Sequence, residues 1–414
     1  MLHILVQLTS RMNINTNTSI KRTTVKLLVI ELLYWLCSAL FSYFSVYFQS
    51  IGFSASETGK ITALNLIIGV ITVPLWGLLS DKIKSTKKIL IINIIGTSIF
   101  YCLIPTVVEA SKEILIISII VVLSSVFRSP LSTLVDNIVI RSSNKWGLNY
   151  GFLIAIGCMG AAMTSIMLGI VIPVIGAEKT FILVPMITLL MLSVVIFTNE
   201  ERDIDNNNAT KKVDIRITFK NYSFITFLAF TLIVSIATQS NLTFSPYLLA
   251  DIGVDGSKVG IVLGWQGIIQ ILVLLNLKKL KQKYALYKML IVAGISYSIV
   301  CFSFGIAQSF TSILFLATFA GIGSGLLLAC CNFYLFEIAE AELVTTYQSL
   351  MNSTILLAGI FGNLIGGKLI DAIGIRHFYQ SISFLVFWGT LLYVLSFKLK
   401  VKKEKKGENT NVAR

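Results

Sequence analysis

The chain has 414 residues, of which 55% are hydrophobic and 13% charged, with a net charge of +14 and a mean hydropathy of +0.83. A soluble domain carries about 25% charged residues, and many apolar runs here reach the roughly 18 residues that begin to span about 30 Å of hydrocarbon. A soluble globular protein is excluded, and an all-α polytopic membrane protein is expected.

The chain opens with "MLHILVQLTSRMNINTNTSIKR", a short apolar patch with no basic stretch ahead of it. Residues 1–26 therefore read as a cytoplasmic tail and not as a signal peptide. Charged and turn residues then divide the chain into twelve apolar segments. Six run roughly over 27–48, 58–79, 89–108, 113–140, 147–173 and 180–198. Six more run over 223–247, 258–277, 288–307, 310–336, 344–370 and 377–397. Between them lies the polar stretch "NEERDIDNNNATKKVDIRITFKNY". The expected organisation is a six-helix bundle over 27–198, a cytoplasmic linker over 199–222, a second bundle over 223–397 and a basic tail over 398–414.

Orientation follows from Lys and Arg in the connections. With both termini inside, 27 of the 34 basic residues fall on the cytoplasmic side, six on the other, and Arg128 inside a span. That distribution accounts for the net charge without a nucleic-acid partner. Cys37, Cys102, Cys158, Cys301, Cys330 and Cys331 all lie in apolar runs, which favours buried thiols over a disulfide frame or a zinc site. Two histidines, His3 and His377, argue against a metal centre.

The halves resemble each other at an offset near 200. "SIGFSASETGKI" (50–61) matches "DIGVDGSKVGIV" (251–262), aligning Gly52 and Gly59 with Gly253 and Gly260. "GIVIPVIGAEKTF" (169–181) matches "GKLIDAIGIRHFY" (367–379), aligning Ile172 and Gly176 with Ile370 and Gly374. Asp136 near the inner end of the fourth span falls opposite Glu337 near that of the tenth. Two similar halves in parallel orientation imply a site between them, exposed alternately by rocking.

One connection stands out, "WGLLSDKIKSTKK" at 76–88. Gly77 suits close backbone approach between helices in lipid. Asp81, one turn on, suits a helix N-terminus or a basic partner, and the lysines suit anionic lipid. The counterpart in the second half, "NLKKLKQKYALYK", keeps the lysines and lacks the Gly and Asp.

On these residues the chain resembles the major facilitator superfamily of secondary transporters over roughly 25–400. The loop after the second span is usually G-x-x-x-D-[R/K]-x-G-x-[R/K]-[R/K]; Gly77, Asp81 and Lys82 match it, Lys84 replaces the turn glycine, and the basic pair Lys87 and Lys88 arrives late, after Ser85 and Thr86. The resemblance implies twelve transmembrane helices as two pseudo-symmetric six-helix bundles. It also implies that Asp81 meets the eleventh span, with Arg141 as basic partner, latching the outward-open state. Asp136 and Glu337, near the same border, are read as latch residues too.

Ionisable groups inside spans cost about 2.5–3.5 kcal/mol on insertion scales and are functional candidates. Arg128, in "VVLSSVFRSPLSTLVDN", is read as solute-binding or as a brace between helices; the superfamily often has an Arg at this place. Glu31, one turn inside the first span, is read as a proton carrier or as an acid reaching back to Lys26. Gln239, Asn241, Gln266, Gln270, Tyr43 and Asn332, with Asn65 and Asn352, form a polar set suited to a hydroxylated or heterocyclic solute, although each singly also suits an interhelical hydrogen bond.

No nucleophile constellation or nucleotide-binding loop is present, so an enzyme is not expected. The reading is a monomeric, multi-pass plasma-membrane symporter without cofactor, driven by the proton gradient and taking up a sugar- or nucleoside-like solute. "SVYFQSIGFSASETGKI…VPLWGLLSDK" is similar to the oligosaccharide and nucleoside proton symporter branch. Proton-driven efflux of drugs or sugars is the alternative, and a non-transporting receptor is the alternative of another class.

Overall fold

The structure is a computed structural model that describes residues 18–111, 113–148, 150–198, 221–339 and 343–412. Most of the expected linker over 199–222 and of the expected tail over 1–26 lies outside the described residues. Among the described residues there are twelve helices or helix pairs long and apolar enough to cross a membrane, and no strand.

The first span is α1 (Thr18–Phe41) followed by α2 (Phe44–Ser50), the second is α3 (Ala55–Ile83) and the third is α4 (Thr86–Ala110). The fourth is broken into α5 (Ile114–Arg128) and α6 (Leu131–Trp146), and α7 (Tyr150–Ile175) and α8 (Thr180–Ile196) complete the half. The second half runs α9 (Tyr222–Asp251), α10 (Val259–Lys283), α11 (Leu286–Ile306), α12 (Phe310–Ile338), α13 (Val344–Ile373) and α14 (Ile375–Val412). Large apolar side chains such as Leu115, Met167 and Val174 stand exposed, as they must on faces solvated by lipid.

The internal repeat is visible in backbone geometry. Gly52 and Gly253 both take positive φ, at 89° and 74°. Each donates its N–H three residues back, to Gln49 and Ala250, while the residue after it bonds five back. Gly176 and Gly374 likewise take φ of 93° and 83° and donate to Ile172 and Ile370. A side chain at such φ is strained, so the aligned glycines mark the same turns in both halves.

Two connections on the lysine-rich side differ. After α3, Lys84 N–H bonds Asp81 O and Ser85 N–H bonds Ser80 O, with Lys84 at φ 53°. This is a Schellman closure, and Lys84 holds the left-handed position that the superfamily pattern gives to glycine. Ser85 then caps α4, its Oγ accepting from Lys88 N–H at 3.2 Å. After α10, by contrast, Tyr284 leaves in an extended conformation, φ −130°. Lys87 and Lys26 serve a structural purpose. Lys87 donates to the carbonyls of Ile196 (2.6 Å) and Thr198 (2.8 Å), and Lys26 to that of Phe197. Cations here satisfy the open carbonyls at the end of α8 and complement its dipole.

The chain divides into two compact units, residues 1–47 with 64–207, and residues 48–63 with 208–414. In the first, α1 packs on α7 and α8, and α4 on α5 and α8. Its core includes Leu27, Ile30, Leu90, Ile94, Val135 and Met191. In the second, α11 packs on α14 and α12, α10 on α12, and α9 on α13 and α14.

The segment 48–63, which carries the start of α3, is held inside the second unit by several contacts. Ser56 N–H donates to Asp371 Oδ2 at 3.0 Å. Tyr247 Oη donates to Phe53 O at 2.9 Å and lies 2.6 Å from Thr58 Oγ1. A Cβ on Gly59 would overlap the backbone of Asn363, and one on Gly367 the backbone of Ala55.

Candidate functional site

Arg128 ends α5, where Pro130 breaks the fourth span. Proline has no N–H, so the carbonyl four residues earlier, on Val126, loses its helical donor. Trp76 Nε1–H on α3 takes that place at 2.9 Å. Phe127 sits in a notch made by Gly96, whose Cβ would overlap the ring, and stacks on Phe100 at 5.5 Å. The break and the notch together fix where Arg128 points.

Half-buried, the guanidinium donates from Nη2 to Asn65 Oδ1 on α3 at 2.7 Å and lies 4.9 Å from the centre of the Phe41 ring. Ser125 Oγ touches the same amide oxygen and also reaches Val121 O at 2.7 Å. Arg128 makes no ion pair among the described residues. The titratable groups that act on it electrostatically are the hydroxyls of Tyr34 and Tyr101.

Glu31 is fully buried on α1. Its Oε2 accepts from Trp35 Nε1–H, one turn on, at 3.1 Å, and its Oε1 has no hydrogen-bond partner. Gly157 on α7 makes room for that indole, since a Cβ there would overlap it. Neither oxygen meets Lys26, which reaches Phe197 O instead, so the alternative of a Glu31–Lys26 contact is not what the structure shows. Asp136 is the charged neighbour that acts on Glu31, and it acts on Tyr34 as well. A buried carboxylate with one unsatisfied oxygen is costly as an anion and much less so when protonated.

The latch residues divide. Asp81, Gly77 and Arg141 line one cavity of about 90 Å³ with Ser80, Pro130 and Asn137. Asp81 is exposed, and nothing lies within 4 Å of a Cβ built on Gly77. Asp136 does not line this cavity and sits by Glu31. Glu337 is exposed near the end of α12.

The amides of the second unit are unequally placed. Asn241 is buried, with its Oδ1 accepting from Tyr379 Oη at 3.1 Å, so that amide oxygen is used inside the bundle. Asn332 donates to Leu328 O of its own helix at 3.3 Å. Gln239, Gln266 and Gln270 are half-buried, and backbone carbonyls of Gln266 and Gln270 meet Gly321 and Gly325 of α12. Trp265 donates to Thr318 Oγ1 at 3.0 Å. In the first unit, Tyr43 is fully buried at the break between α1 and α2. Sequence reasoning missed Trp35, Trp76 and Thr58. For Trp76 a signal existed, since Pro130 announces an orphan carbonyl four residues back.

A family model described as the MFS_1-like family matches residues 27–381. An uncharacterised transporter, YwbF of Bacillus subtilis (strain 168), is 23% identical over 353 residues, which is 83% of this chain and 85% of that protein. A variant of the nucleoside transporter NupG superposes with a TM-score of 0.80 at 12% identity, over 90% of this chain and 99% of that one. A D-xylose–proton symporter does so with 0.70 at 15% identity, over 91% and 96%. At these identities the structural likenesses show the fold.

Proposed function

This chain belongs to the MFS_1-like family and is a multi-pass membrane transporter with the major facilitator fold, not an enzyme, and we propose that it is a proton-coupled symporter of a small sugar- or nucleoside-like solute in the plasma membrane, both termini cytoplasmic. The observation that carries the coupling is Glu31, a carboxyl group fully buried in the first span with one oxygen unpartnered. Acids inside spans serve as proton relays, taking up a proton and releasing it where they gain access to the aqueous phase on one side. Arg128 is the solute-binding charge, with Gln239, Gln266 and Gln270 as further polar contacts. Neighbours of the same fold named for nucleoside and D-xylose transport support the solute class.

Gly77 and Asp81 are the latch of the opposite state, with Arg141 as the basic partner that already shares their cavity. Asp371 on Ser56 N–H is the corresponding hold in the state seen here. Efflux by antiport uses the same parts and differs in the direction of the solute gradient. Purified protein in liposomes tests the reading: an inward proton gradient drives accumulation of the transported solute, and dissipating the gradient with a protonophore abolishes it. Equal accumulation with and without the gradient rejects proton coupling.

A further inference from the structure

A guanidinium keeps its charge at any physiological pH and offers five N–H donors. In this structure the protein gives Arg128 one neutral acceptor, Asn65 Oδ1, and one aromatic face, Phe41. Its electrostatic neighbours, Tyr34 and Tyr101, are neutral hydroxyls. Among the described residues, the acids within the spans of the second half are Asp251, Glu337 and Asp371, and each lies within the last three residues of its span. Glu31 and Asp136 act on Tyr34 as Arg128 does, but among the described residues no carboxylate pairs with the guanidinium, so its charge has no direct counter-ion in a segment where such a charge is costly.

The residue that sets this is Asn65. A carboxylate there would lie within ion-pair distance of the guanidinium and cancel the charge. An amide orients the guanidinium through one hydrogen bond and leaves the charge for another partner. A guanidinium can only donate, so the amide oxygen and not the NH₂ group is turned to Arg128, and Ser125 Oγ touches that same oxygen.

We infer that Asn65 is the residue that selects solute charge, and that the solute is a carboxylate-bearing hydroxylated or heterocyclic compound whose carboxylate pairs with Arg128. This rests on the reading of Arg128 as the solute-binding charge.

The test uses paired probes on purified full-length protein, D-glucuronate beside D-glucose and orotate beside uracil, with binding followed by calorimetry and thermal shift. The acid of at least one pair is expected to bind at least about tenfold tighter than its neutral twin, about 1.4 kcal/mol. Arg128→Lys, which loses the planar fork, is expected to weaken that binding by about tenfold or more. Asn65→Asp is expected to remove the preference for the acid.

A second measurement does not depend on the solute. In a background with the six native cysteines replaced, Ser129→Cys is labelled by anionic and by cationic methanethiosulfonate reagents. Faster labelling by the anionic reagent, with that bias lost on adding Asn65→Asp, supports the inference even where no probe binds. Neutral twins binding as tightly as the acids, or labelling rates that show no anionic bias, overturn it. Neither measurement needs a gradient, so a protein with the charge bias but no gradient-driven uptake refutes the coupling and leaves the inference standing.

Discussion

Two segments share a Gly-x-x-x-Asp spacing, Gly77–Asp81 near the end of α3 and Gly367–Asp371 near the end of α13. They are in opposite conditions. Gly367 is pressed against the backbone of Ala55, and Asp371 accepts from Ser56 N–H at the start of α3. Gly77 has open space where its side chain would be, and Asp81 is exposed beside a small polar cavity. The same spacing is packed at one place and open at the other. We propose that Gly77, which has room for a side chain here, has its use in another state of the transport cycle.

Valine at each glycine gives the largest contrast. Gly367→Val meets backbone that cannot rotate away, so it is expected to destabilise the purified protein by about 1–3 kcal/mol, the usual range for overpacking, read as a lowered midpoint of thermal unfolding. Gly77→Val meets nothing and is expected to leave that midpoint unchanged while cutting transport by more than about tenfold, about 1.4 kcal/mol. Equal thermal effects of the two would erase the comparison.

Asp81→Asn keeps the size and removes the charge. Reconstituted protein carrying it is expected to reach the membrane in normal amount and transport at least about tenfold more slowly; near-normal flux would reduce the stretch to an ordinary turn. Asp371→Asn retains an acceptor for Ser56 N–H and loses only the interaction of a charge with a helix start, about 0.3–1 kcal/mol. Hydrogen exchange at the first turn of α3 should rise by the corresponding factor, and unchanged exchange would show that the charge at Asp371 contributes nothing to the hold.

Smallest is Lys84→Gly. A non-glycine residue in the left-handed region costs about 1–2 kcal/mol, partly offset by the extra freedom glycine has when unfolded. A net gain of up to about 1 kcal/mol is expected, visible as a raised unfolding midpoint with transport intact. A lowered midpoint would mean that the lysine side chain contributes more than its backbone costs.

Much of this was legible in the residue string. Span number follows from apolar length alone, and the repeat from glycines whose positive φ no other residue takes easily, which is why Gly52, Gly176, Gly253 and Gly374 stand at aligned places. Arg128 and Glu31 were conspicuous because charge is rare in such segments. What the string could not carry was partnership across helices. That Asn241 is used by Tyr379, that Lys26 serves Phe197 O, and that Asp136 acts on Glu31 depend on which faces of α1, α6, α8, α9 and α14 meet. Hydropathy is nearly uniform around lipid-embedded helices, so periodicity does not reveal those faces.

We propose that Glu31 carries the coupled proton. Liposomes containing wild-type protein or Glu31→Gln, loaded for exchange and separately subjected to an inward proton gradient, test it most directly. Glu31→Gln is expected to retain exchange of labelled for unlabelled solute and to lose all gradient-driven accumulation. Accumulation by Glu31→Gln equal to that of the wild type would place the proton elsewhere.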